Sequence, residues 1–246
     1  MTTPIFLGED QVTLPERALF VVAHPDDIDF GSAGTAAVLT AAGSHVSYCL
    51  VTSGQAGNDD MSMSTEDLAA MRQREQTAAA AEVGVTSLHW LGFPDGAVEC
   101  NLELRKAISR VIRIEKPDVV MTQQPTRAWD SVYRSHPDHI ETGEATMRAV
   151  YPDARNPRAF PELLAEGYEP HAVPAVWMNG LEPDLFIDIS GVFDKKVAAL
   201  KSHVSQTADM GDRLMEILTT WGALNARKAG LAEGRYAEGF KLLVTA

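Results

Sequence analysis

The run Ala18-Leu19-Phe20-Val21-Val22-Ala23 leads without a break into His24-Pro25-Asp26-Asp27. An apolar stretch this short, halted by a proline turn, reads as a buried strand. One imidazole and two carboxylates therefore stand where that strand emerges into solvent. Outward from it, strands and helices alternate. An Ala-rich helix is predicted over Gly34–Ala42, a strand over His45–Thr52, a long helix over Thr65–Val83 opened by Ser64 or Thr65 as cap, and a strand over Ser87–Leu91. In Leu102–Glu115, Leu102, Ile108, Val111 and Ile112 share roughly one helical face, and Pro117 then introduces a strand over Asp118–Thr122. Strands alternating with helices of this length are βαβ units, so the expected class is α/β: a Rossmann-like, mainly parallel sheet with helices on both faces.

Further along, Ala175–Met178 and Leu185–Ile189 read as strands and Val192–Gln206 and Met210–Ala229 as helices. The proline-containing stretch Tyr151–Pro174 lacks periodicity and reads as a flap or an irregular wall beside a substrate. A chain of 246 residues with 45% apolar content fills one core. One domain over residues 1–246 is expected, with its core at about 18–206 and a C-terminal helical region at about 207–246.

Open parallel sheets bind ligands beyond the carboxyl ends of their strands. The loops there are His24–Asp27, Thr52–Gln55, Phe93–Gly96 and Gln123–His139. The last contains a second cluster, His136-Pro137-Asp138-His139, so both His/Asp clusters fall on one edge. Imidazole nitrogen and carboxylate oxygen suit zinc or another divalent first-row ion such as Fe²⁺, and three protein ligands leave a coordination position open for chemistry.

The net charge of −13 argues against nucleic acid, whose phosphates need clustered Lys and Arg. The start of the chain lacks the basic and apolar regions of a secretory leader, and no apolar run is long enough to insert into a membrane. Two cysteines, Cys49 and Cys100, make no disulfide framework and suit a reducing cytoplasm. The composition is compatible with a homo-oligomer without specifying one.

The two clusters resemble the paired signatures of the PIG-L/LmbE family of zinc-dependent N-deacetylases. Thr52-Ser53-Gly54-Gln55-Ala56-Gly57, Arg72-x-x-Glu75-x-x-Ala78, Leu91-Gly92-Phe93-Pro94-Asp95-Gly96 and Lys196-x-x-Ala199-x-x-x-His203-x-Ser205-Gln206 are similar to family patterns in the family order. The resemblance implies His24, Asp27 and His139 as zinc ligands and Asp26 as general base. It implies His136 as a cationic group facing the developing oxyanion, with Asp138 orienting it. It also points Arg72 at sugar hydroxyls or a phosphate, with Arg74 as the competing choice, and makes His203 a pocket residue. Asp95 is expected to accept from sugar hydroxyls and Tyr133 to stand in the site, where Trp129 and Asp130 would extend a sugar-stacking wall. Met61, Ser62 and Met63 belong to a loop that could act as a lid, while His45, His89 and His171 match no motif and are expected to be structural.

The function implied is removal of an N-acetyl group from a small amino-sugar substrate, releasing acetate. Rival readings are an amidase on a larger sugar-thiol conjugate, a non-catalytic sugar-binding protein, a structural metal site and a dinucleotide-binding protein. The last is disfavoured because Gly31-Ser32-Ala33-Gly34 is not Gly-x-Gly-x-x-Gly and because Asp26 and Asp27 repel phosphate.

Overall fold

The computed structural model describes residues 5–6, 13–129, 132 and 135–245. Among them the strands are β1 (Ile5–Phe6), β2 (Arg17–Val22), β3 (His45–Thr52), β4 (Ser87–Phe93), β5 (Val119–Gln123), β6 (Ala175–Asn179), β7 (Leu185–Asp188) and β8 (Ala237–Val244). They form one sheet in the order β1-β7-β8-β6-β5-β2-β3-β4. β2 pairs in parallel with both β3 and β5, and β3–β4, β5–β6 and β1–β7 are parallel too. Only β8 runs antiparallel, between β6 and β7. The helices are α1 (Asp27–Gly31), α2 (Ala33–Ala41), α3 (Thr65–Glu82), α4 (Leu102–Glu115), α5 (Pro137–Arg148), α6 (Pro161–Ala165), α7 (Phe193–Ser202), α8 (Val204–Thr207) and α9 (Asp212–Ala229). The α/β class and the mainly parallel sheet follow the sequence reading. None of the described helices is long and apolar enough to cross a membrane.

The alternation of strand side chains explains why β2 is apolar throughout. Ala18, Phe20 and Val22 face a layer that includes Ala36 and Ala37 of α2, Ala79 and Ala80 of α3 and Ala199 of α7. Leu19 and Val21 face Leu104, Ile108, Val111 and Ile112 of α4 and Ala145 of α5. A strand covered on both faces has no solvent side to carry polar residues. On α4 the inward stripe starts at Leu104, whereas Leu102 is 65% exposed. Asn101 caps this helix by accepting from the Leu104 N–H, which places Leu102 in the first turn on the outward side. Ser64 caps α3 in the same way, accepting from Asp67 N–H.

Three parts of the chain depart from the sequence reading. The region 207–246 is not helical throughout, because after α9 the chain returns as β8 into the sheet. Glu238, 4% exposed, explains why β8 is hard to see in the sequence: its carboxylate accepts from the Gly34 and Thr35 N–H groups at the start of α2 and pairs with Lys196 at 2.6 Å. The helix expected over Val192–Gln206 breaks at His203, whose backbone leaves the helical region between α7 and α8. The stretch Tyr151–Pro174 is not a flap, because Arg113 of α4, buried, spends its guanidinium on the carbonyls of Asp153, Ala154, Asn156 and Ala159. Arg105 adds a two-pronged ion pair to Asp153 at 2.8 Å on each arm.

At the amino ends of the strands, opposite the candidate site, Glu115 gathers Arg17, His45, Ser87 and His89, at 3.0, 2.8, 3.1 and 2.7 Å. This one carboxylate ties β2, β3 and β4 to the end of α4, and it gives His45 and His89 the structural roles expected of them. The hydrogen bond from His89 leads in lowering the Glu115 pKa from 4.5 to about 2, against burial, with His45 and Ser87 contributing. A carboxyl whose folded pKa lies below its unfolded value stabilises the fold above the ordinary carboxyl range and loses that contribution as pH falls through the folded value. Glu115→Gln is therefore expected to lower the urea midpoint at pH 7, with the gap to wild type narrowing as pH falls from about 5 toward 2. A gap independent of pH would remove the ionised carboxylate from this account.

Candidate metal centre

β2 and β5 are the neighbours at which the strand order reverses: from β2 the chain adds β3 and β4 on one side, then β5 and β6 on the other. Such a point opens a crevice at the carboxyl ends of the strands, and both His/Asp clusters lie there. The Ala23 N–H donates across the parting to Gln123 Oε1 at 3.0 Å, and the Ala23 carbonyl accepts from the Thr52 N–H at 2.9 Å. Beyond them the chain turns tightly. Pro25 keeps His24 from helical geometry, Asp26 sits at φ +82°, and the Asp27 carboxylate folds back to accept from the His24 N–H at 2.8 Å.

The second cluster opens α5. His136 is its cap residue, with Nδ1 accepting from the Asp138 N–H, and Pro137 fixes the first helical position. The helix lies close against the end of β5 because residue 143 is glycine; a Cβ there would stand 2.3 Å from the Gln123 carbonyl oxygen. His139 is thereby brought over the end of β2.

The result is a tight convergence of donors. His24 Nδ1 lies 3.2 Å from His139 Nε2 and 3.4 Å from Asp27 Oδ2, and His139 Nε2 lies 3.0 Å from Asp27 Oδ1. Ligands at about 2.0–2.1 Å around a tetrahedral ion stand about 3.3 Å apart, so the spacing of these donors fits a divalent cation. Two other groups, His24 with His136 and His139, and His24 with Asp95 and Asp138, bring one donor each within 4.8 Å of one another. The tautomer of His24 decides between the sets. Its Nε2 faces Asp138 Oδ2 at 3.1 Å and Asp95 Oδ1 at 3.0 Å, so in the neutral ring that a cation requires, Nε2 keeps the proton and Nδ1 is the nitrogen turned to the crevice. Asp138 also accepts from Gly96 and Val98 N–H, and Asp95 from Ala56 N–H, so both carboxylates are already committed behind the ring.

These contacts correct several expectations. Asp138 orients His24 rather than His136, which it meets only through its backbone N–H. His136 is not held cationic: burial first, and then the charges of His24 and His139, lower its pKa. Its ring stands edge-on to His24 with centroids 4.8 Å apart, at the rim of the donor set. Asp95 supports His24 instead of waiting for sugar hydroxyls. Arg72 is 4% exposed and directs its guanidinium to the carbonyls of Gly54 and Pro25 and to Asp26 Oδ2, so it grips the site's own loops rather than a substrate. Gly54 is required under it, since a Cβ at that residue would lie 2.2 Å from Arg72 Nη1. Arg74 is exposed on the outer side of α3 beside Trp90. His203 is fully buried against Asp29 at 2.8 Å, with no exposed surface to offer a substrate. Tyr133 and Asp130 lie outside the described residues, and Trp129 is 90% exposed.

The pattern around His203 has a different meaning from the one expected. Lys196 meets Glu238, His203 meets Asp29, and Ser205 donates to Glu75 through both N–H and Oγ. It docks α7 and α8 onto α1 and α3. Two residues that the sequence reading did not assign join the site from below: Asp29, and Gln76, one turn beyond Arg72 on the same face of α3. That spacing was the available signal.

The electrostatics are those of a site built for positive charge. Burial alone would lower the His24 pKa, but Asp138, Asp27 and Asp95 push it up to about 12. Burial opposes ionisation of Asp27, yet His139 and His24 hold it well below the usual range. Burial, with the charge of Asp27, raises Asp26 from 3.8 to about 7, against Arg72, His203 and His24.

Fold and crevice define an α/β protein with a mainly parallel sheet and a candidate His-Asp-His metal centre at the point where its strand order reverses. Comparison with known proteins narrows the class. A family model described as PIG-L, GlcNAc-PI de-N-acetylase, matches residues 19–150, and the chain belongs to that family. It is 34% identical over 230 residues to diacetylchitobiose deacetylase of Thermococcus kodakarensis, covering 93% of this chain and 83% of the relative. The solved N,N'-diacetylchitobiose deacetylase of Pyrococcus horikoshii superposes with a TM-score of 0.85 at 28% identity, over 94% of this chain and 84% of the other. The 4-carboxy-2-hydroxymuconate hydratase of Pseudomonas putida KT2440 shares the fold with a TM-score of 0.78 at 21% identity, over 94% of this chain and 97% of the other.

If Asp138 fixes the tautomer of His24, Asp138→Asn is expected to weaken zinc binding about 10–100-fold in a competition titration of metal-stripped protein. His139→Ala, which removes a donor, is expected to abolish stoichiometric binding. Wild-type affinity in Asp138→Asn would sink the supporting role given to that carboxylate.

Proposed function

We propose that the protein is a zinc-dependent hydrolase that removes the N-acetyl group from an N-acetylglucosamine-type amino sugar or its conjugate, releasing acetate and a free amine. The fold alone does not choose this chemistry, since one structural neighbour is a hydratase. The observation that carries the reading is the convergence of His24 Nδ1, Asp27 and His139 Nε2 within 3.4 Å, with the carboxylate of Asp26 next in the chain. The likeness to a diacetylchitobiose deacetylase over most of both chains supports the substrate class.

His24, Asp27 and His139 would hold a divalent ion, whose Lewis acidity would polarise the amide carbonyl and lower the pKa of water toward neutrality. Zinc suits two imidazoles and a carboxylate, and Fe²⁺ is accommodated by the same donors. Asp26 takes the proton of the attacking water and returns it to the departing amine nitrogen. Arg72, bonded to Asp26 Oδ2 at 3.1 Å, holds that carboxylate in place. His136, exposed at the rim with Nδ1 satisfied by the Asp138 N–H, presents Nε2–H to the oxygen on which negative charge develops; it acts as a neutral donor. Both thiols, Cys49 buried and Cys100 partly exposed, are unpaired, which suits the cytoplasm.

Metal-stripped protein, assayed for acetate release from a panel of N-acetylglucosaminides, is expected to be inactive and to regain activity when zinc is added. Asp26→Asn, chosen because asparagine tolerates φ > 0, is expected to bind zinc normally and lose turnover by about 10²-fold or more. Absence of release from every member by zinc-loaded wild type would overturn the reaction. His136→Ala is expected to retain zinc and lower kcat with little change in KM; loss of zinc would instead make His136 a ligand.

A further inference from the structure

Asp26 is held in a conformation that its own backbone does not favour. Its φ of +82° belongs to the left-handed region, where a residue with a Cβ persists only if its surroundings impose the geometry. Those surroundings come from one helix face. Arg72 Nη2 bonds Asp26 Oδ2 at 3.1 Å and the Pro25 carbonyl at 2.8 Å, and four residues on, Gln76 Oε1 accepts from the Asp26 N–H at 2.9 Å. One side chain holds the carboxylate and the other the peptide group that carries it.

Gln76 is itself fixed from behind. Its Nε2 donates to Asp29 Oδ2 at 2.8 Å, and His203 Nε2 meets the same oxygen at 2.8 Å. Gln76, Asp29 and His203 are all fully buried. The amide has only one workable orientation, because the Asp26 N–H needs an acceptor and the Asp29 carboxylate needs a donor. Rotating it by half a turn would break both bonds at once.

We infer that Gln76 is a positioning residue for Asp26, with Asp29 and His203 locking its amide, so that helix α3 sets the direction of the base through Arg72 and Gln76 together. The inference rests on the reading of Asp26 as the base and adds the group that aims it. Purely structural glue predicts that loosening Gln76 lowers stability and leaves turnover per folded, zinc-loaded molecule unchanged. The positioning role predicts that turnover falls while zinc and substrate binding persist.

The test uses full-length, zinc-loaded Gln76→Met, which keeps length and loses both hydrogen bonds. Three readouts are taken: zinc content, the kcat and KM of acetate release, and hydrogen exchange of the Asp26 amide. The expected result is full zinc content, KM within about threefold of wild type, kcat lower by about tenfold or more, and faster exchange at Asp26. Gln76→Glu, which as a neutral acid offers a carbonyl to Asp26 and an O–H to Asp29, is expected to restore kcat and exchange protection. Should Gln76→Met fail to fold, Gln76→Asn, too short to span from Asp26 to Asp29, carries the same expectations. Wild-type kcat with unchanged exchange, or zinc lost in step with kcat, overturns the inference. If wild-type protein releases no acetate, the reaction proposed above falls, and the exchange of Asp26 alone decides whether Gln76 holds it.

Discussion

Beyond the last paired residues of β2 and β5 the two chains diverge, and the peptide groups there must find partners that a longer ladder would otherwise supply. They find them in side chains. Gln123 receives the Ala23 N–H from across the gap, and the Thr52 hydroxyl joins its own N–H on the Ala23 carbonyl. Because these bonds pin the last residue before His24, the turn that follows has a fixed origin, and three residue types that would be unremarkable in a surface loop are presented in one geometry. The close approach of α5, possible only over Gly143, supplies the facing half.

Charge is distributed around this origin with a single vacancy of sign at its centre. Asp26, Asp27, Asp95 and Asp138 surround His24, while the guanidinium of Arg72 serves Asp26 and backbone carbonyls. Burial works against ionisation of Asp95 and Asp138, but His24 and then backbone N–H groups hold both below the ordinary carboxyl range, which disfavours relief of the excess by protonation. What remains is a choice at His24 itself between a proton and a cation, so a metal ion bound there would have to displace the proton that the ring otherwise holds.

The fold class and the meeting of the two clusters could be read from the sequence because both depend on local punctuation: an apolar run, a proline, a cap, a repeat of the pattern. The duties of Arg72, Asp95, Asp138 and His203 could not, because each is set by a neighbour distant in the chain. Asp138 reaches His24 across a separation of 114 residues and His203 reaches Asp29 across 174. Sequence motifs mark that such residues matter without saying whether they face a substrate or another side chain. β8 was hidden for a related reason: a buried Glu238 and a Gly239 that accommodates Pro183 interrupt the apolar alternation by which strands are recognised.

The placement of Glu238 bears on the order in which a working molecule comes into being. Its carboxylate serves the amides of Gly34 and Thr35, more than 200 residues earlier in the chain, and neutralises buried Lys196. During synthesis, everything that forms the crevice except this strand has left the ribosome while those amides and that ammonium group still lack their partner. Contacts of such separation form late. Helix α2, next after α1 in the chain, therefore gains this anchor only once β8 has been made, so a chain interrupted before β8 keeps the two His/Asp clusters yet lacks the carboxylate that holds the start of α2.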